Sequence, residues 1–149
     1  MRLILTAISI SIATIAAQAS ERETAITEMT SGILERVIRP AFTDFRDQSA
    51  EMRYRMSDLC GGPSRSAMAD VQQQFKALTV AYARIEMLRF GPLTQKNRFG
   101  RISFWPDRRG LALKRVRRAL VEEDQSVTRS ENLADKSVAI QGLSGLEYL

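Results

Sequence analysis

The chain has 149 residues, a length that suits one ordinary domain, and a formal net charge of +5. It contains no histidine, which excludes Ser-His-Asp and Cys-His nucleophile activation and every histidine-ligated zinc or iron site. Cys60 is the single cysteine, so no intrachain disulfide can form and stability must come from packing.

The first stretch, "MRLILTAISISIATIAAQAS", has a positive start at Arg2 and an uncharged, mostly apolar run from Leu3 to Ala17. It closes on Ala17-Gln18-Ala19, a small-x-small cleavage pattern. The run is shorter than the roughly 20 residues that span a bilayer. We therefore expect a secretory signal over residues 1–19, cut after Ala19, and a mature helical domain over residues 20–149.

From Ser20 to Leu59, apolar residues recur at Ile26, Met29, Ile33 and Val37, then at Phe42, Phe45, Met52, Met56 and Leu59. This is mostly helical spacing. Pro40 is expected to kink the pattern or split it into two helices. "CGGPS", residues 60–64, is a breaker whose serine can cap the next helix. Met68, Val71, Phe75, Leu78, Tyr82 and Ile85 alternate steps of three and four, which predicts an amphipathic helix from about Ser66 to Phe90. Gly91-Pro92 should stop it.

Residues 91–106, "GPLTQKNRFGRISFWP", have no sustained period but hold Phe99, Phe104 and Trp105. Linkers do not carry aromatic residues at this density. These three side chains suit stacking on a ligand, or plugging the open end of a bundle. Asp107 can cap a helix from Arg108 to about Glu123. On that helix Ala112, Leu113, Val116, Ala119 and Leu120 share one arc, and Lys114, Arg115, Arg117 and Arg118 the opposite one. A last helix is expected from about Ser130, carrying Leu133, Val138, Ile140, Leu143 and Leu146. No segment alternates long enough to be a strand, and only "RISFW" is a candidate. The class is all-α, and five helical segments of this length should pack as an antiparallel bundle. The last helix keeps its apolar content to Leu149 without a stop signal, which leads us to expect that the chain is part of a longer one.

Eleven Lys and Arg residues lie between Arg84 and Arg118, against Glu86 and Asp107. An exported protein seldom meets nucleic acid, so none is expected as partner. An anionic membrane surface, an acidic envelope protein or an anionic ligand fits better, and a solvated helix face is the plain alternative. Arg98, Arg101, Arg108 and Arg109, around the aromatic loop, are candidates for a carboxylate or phosphate, because guanidinium forks suit both. Arg115 and Arg118 are the candidates for docking on acidic lipid or a partner.

Three stretches, "RIEMLRFGPL" (84–93), "NRFGRISFWPDRRG" (97–110) and "DKSVAIQGLSGLEYL" (135–149), resemble the imelysin-like proteins. The resemblance implies a bacterial periplasmic or cell-envelope protein with an all-helical fold of two bundle-like halves, this chain supplying the first. It also implies a class of metallopeptidases linked to iron uptake, and iron or another divalent metal as cofactor of the whole protein. The motif of that family, Gly-x-His-x-x-Glu, falls on Gly142, Ser144 and Glu147, with serine where histidine is expected. A neutral hydroxyl is a much weaker ligand than imidazole, so the motif reads as degenerate. Glu147 is left as the one candidate metal ligand, and no catalytic residue is assigned. The expected role is a binding component of the envelope. The rival roles are a metal-dependent peptidase with ligands beyond Leu149, and an interaction protein docking through the basic helix. What remains for hydrolytic chemistry in this chain is carboxylate work or a lysine base.

Overall fold

The computed structural model describes residues 20–148, so the expected signal segment lies outside the described residues. Two compact units divide between Thr43 and Asp44. Among the described residues all regular structure is helical, as the periodicities predict, and "RISFW" is not a strand.

Residues 20–33 form α1. A π-helical turn, Leu34–Ile38, follows and leads into α2, Arg39–Gly61. Pro40 neither ends nor splits the helix. Proline lacks an N–H and its ring crowds the carbonyl four residues back. The wider π turn lies immediately before it, with the Arg39 N–H donating to the Leu34 carbonyl.

In the second unit, α2 turns at Gly62-Pro63 into α3, Arg65–Ala83. The Ser64 hydroxyl accepts from the Ala67 N–H at 3.1 Å and supplies the expected cap. The two helices run antiparallel. The Gln74 amide donates to the Gln48 carbonyl at 3.0 Å, Arg84 pairs with Asp44 at 2.8 Å, and the Phe45 and Tyr82 rings lie 5.8 Å apart. Val71, Leu78, Ala81, Tyr82 and Ile85 are buried, so the stripe read from the sequence is the core face of α3. The helix stops earlier than the expected Phe90. Beyond Ala83 the backbone tightens into short turns, Ile85 N–H to Tyr82 carbonyl and Leu88 N–H to Ile85 carbonyl. These turns hold Ile85, with no exposed surface, in the core.

The chain then makes a 3-10 segment, Gly91–Asn97, and a short helix α4, Arg98–Ile102. Helix α5 spans Leu111–Val121, starting later than predicted. Its apolar arc is sunk at Ala112, half-buried at Leu113, Val116 and Ala119, and exposed at Leu120. The continuous last helix expected from Ser130 does not form. In its place stand 3-10 turns at Gln125–Thr128, Ser130–Asp135 and Val138–Ile140, then α6, Gly142–Leu146. Polar side chains hold this path. The Asp124 carboxylate accepts from the Ser126 N–H at 2.9 Å and pairs with Lys136 at 3.1 Å. The Gln141 side chain donates to the Lys136 carbonyl at 2.8 Å. Local side-chain bonds of this kind compete with the helical ladder. No described helix is long and apolar enough to cross a membrane.

Candidate functional site

The motif positions sit where α6 meets the end of α4. Gly142 has φ +57, and a Cβ there would lie 2.3 Å from the Ile102 carbonyl oxygen and 2.4 Å from that of Arg101. Only glycine takes this conformation and this approach without strain. Two residues on, Ser144 is buried and its hydroxyl accepts from the Phe104 N–H at 2.8 Å. The serine thus ties α6 to the aromatic segment that precedes α5.

The other end of that segment is fixed by Asp107. One of its carboxylate oxygens accepts from the Leu111 N–H and the other from the Ala112 N–H, both at 2.8 Å. These amides, Ala112 first and Leu111 second, hold its carboxyl below the ordinary value. Asp107 therefore acts as the cap of α5, although Gly110, at φ 60, occupies the residue just before the helix.

Between these two ties, Phe104 and Trp105 form one wall of a cavity of about 710 Å³. Phe75, Tyr82 and Glu86 line it from α3 and the turn beyond, and Leu143, Ser144, Glu147 and Tyr148 from α6 and its end. The size is that of an ordinary small-molecule pocket. Arg89 lines it too, with its guanidinium 5.4 Å from the centre of the Phe99 ring. Burial, followed by the Glu86 charge, raises the Tyr82 phenol above its usual value, while Ser103 and Arg89 act the other way. Glu86 and Glu147 form no ion pair among the described residues.

Ser144 and Glu147 thus share one cavity, with Gly142 in the tight contact beside it. The six candidate arginines do not converge. None of Arg98, Arg101, Arg108 and Arg109 lines this cavity, and Arg98 donates to the Pro92 carbonyl at 2.8 Å. Arg115 and Arg118 stand on α5, exposed, and line a smaller cleft of about 260 Å³, where Arg118 pairs with Glu122 at 2.8 Å. Glu86 and Arg89 were missed as site residues. A signal for them exists, since Phe75, Thr79, Tyr82 and Glu86 follow in steps of four, three and four. The stripe that is core at its start becomes cavity wall at its end.

A divalent metal would need two or more ligands converging here. The Ser144 oxygen is engaged with a backbone amide inside the protein, and Glu147 is the motif's only carboxylate. Among the described residues no group of three or more histidine, cysteine, aspartate or glutamate side chains is placed to hold an ion. Within Gly142, Ser144 and Glu147, the Glu147 carboxylate is the one strong ligand type for a divalent ion. A lysine base finds no support at Lys136 either, since Asp124 holds its ammonium and its remaining contact is with the Ser126 hydroxyl.

The sequence profile of the imelysin peptidase family matches residues 38–149, three quarters of the chain. No curated protein and no solved structure matches it significantly.

Proposed function

The chain belongs to the imelysin family, and from that premise we propose that it is an exported binding component of the bacterial cell envelope, linked to iron uptake, rather than a peptidase acting through this motif. The observation that carries the reading is the Ser144 hydroxyl. At the position where the motif calls for imidazole, the side chain accepts the Phe104 amide and builds a cavity wall. The same helix turn that would grip an ion instead shapes a ligand pocket. Hydrolysis needs a nucleophile, a base and a stabilised oxyanion in one place, and this cavity gathers aromatic rings and carboxylates without such a set.

Protein purified without added metal, analysed by elemental mass spectrometry, should contain far less than one iron or zinc per chain. A stoichiometric ion would overturn the reading, as would chelator-sensitive proteolysis lost in Glu147→Gln. Export is tested separately. Cell fractionation should place the protein in the periplasm with a mature N-terminus at Ser20, and an intact Met1 in the cytoplasmic fraction would count against it.

A further inference from the structure

We infer that the cavity bounded by Trp105 and Glu147 binds an organic cation with an apolar body, of the alkylated or aromatic amine class. The inference rests on the reading of the chain as a binding component and specifies its ligand. Three features of the cavity converge on it.

The first is the sign of its charge. In a chain of net charge +5, this cavity is lined by Glu86, Asp107 and Glu147 against the single cation Arg89. Asp107 is committed to the first turn of α5, whereas Glu86 and Glu147 have no ion-pair partner among the described residues. Two carboxylates facing a common space attract a cation and repel the anions that the surrounding arginines would favour.

The second is the wall. The ring faces of Phe104, Trp105 and Tyr148 carry negative quadrupoles, and tryptophan is the strongest partner for a cation. The protein already uses this chemistry at the same place, since the Arg89 guanidinium lies over Phe99. Trp105 is 83% exposed, so most of its surface is open to a ligand.

The third is preorganisation. The Phe104 amide is held by Ser144 and the Asp107 carboxylate by the amides of α5. Trp105 lies between two fixed points. A backbone fixed before binding lowers part of the entropic cost of binding.

Trp105 is the only tryptophan, so its fluorescence reports on the cavity directly. The full chain is titrated at low salt with benzyltrimethylammonium, and in parallel with benzenesulfonate and benzyl alcohol. The expected result is a saturable emission change with the cation, at least tenfold tighter than with either control. The double variant Glu86→Gln/Glu147→Gln should weaken it at least fivefold, with the far-ultraviolet circular dichroism unchanged because both side chains are exposed. No saturable change, equal binding of benzenesulfonate or benzyl alcohol, or unchanged affinity in the double variant would each overturn the inference. Metal content separates this failure from the earlier one. A metal-free chain that ignores the cation sinks this inference alone, whereas a stoichiometric ion sinks the binding-component reading whatever the cation does.

Discussion

Two stretches carry the same helical spacing and meet opposite fates. Val71 and Ile85, on α3 and just beyond it, have no exposed surface, whereas Ile26, Met29 and Val37, in and just after α1, are 60%, 60% and 59% exposed. The periodicity that marks an apolar face is the same in both. What differs is how far the described residues cover it. In the second unit α2 lies alongside α3, with Met52 buried and the Phe45 ring beside that of Tyr82. A hydrophobic pattern states which side of a helix is apolar, and leaves open whether the fold covers that side.

The sharpest way to test this contrast is to truncate both stripes. Ile85→Ala should cost about 3 kcal/mol of unfolding free energy, from lost transfer energy and an unfilled hole. Urea denaturation followed by circular dichroism reads it, and a loss under about 1 kcal/mol would mean that the buried stripe is less closely packed than it looks.

The contact beneath the cavity should respond almost as strongly. Gly142→Ala combines a left-handed backbone with a Cβ driven into the carbonyls of Arg101 and Ile102. A loss of roughly 2–3 kcal/mol is expected in the same denaturation assay. Ser144→Ala comes next. It leaves the part-buried Phe104 N–H without its side-chain partner and should cost about 1 kcal/mol. Ser144→Thr, which keeps the hydroxyl, tests whether the hydrogen bond or the packing of this position matters.

Acid provides a finer test at Asp107. Its carboxyl is held below the ordinary value in the folded protein, so its stabilisation is complete above the unfolded value of about 4. That stabilisation is lost as pH falls through the lower folded value. The Tm gap between the native chain and Asp107→Ala should be open at pH 7 and close as acid passes through that range. A gap independent of pH would show that the carboxylate charge is not what holds α5.

The smallest effect is expected on the exposed stripe, where Ile26→Ser should change stability by no more than about 0.5 kcal/mol. A loss comparable with that of Ile85→Ala would erase the distinction between the two stripes.

Much of the fold was legible locally. Ser64 caps α3 because a serine after a Gly-Gly-Pro break can satisfy the first free amides. Asp107 holds the start of α5 for the same reason. The misreadings share a cause. Residues 130–146 have helical spacing, yet the bonds among Asp124, Ser126 and Lys136 hold a sequence of 3-10 turns instead. Those partners are up to twelve positions apart, beyond the reach of a pattern with a period of 3.6. At Pro40 the expected split does not occur, because a π turn placed before it lets the helix pass.

The candidate site divides along the same line. The amino-acid sequence alone determined the all-helical class, the absence of imidazole, and serine in the motif between Gly142 and Glu147. It also carried the family resemblance, because such signals are local in the chain. Only the tertiary structure decided that Ser144 binds the amide of Phe104, forty residues away, and that Glu86 and Glu147 border the same cavity. Side chains so distant in sequence are brought together by packing of the whole unit, which no local periodicity encodes.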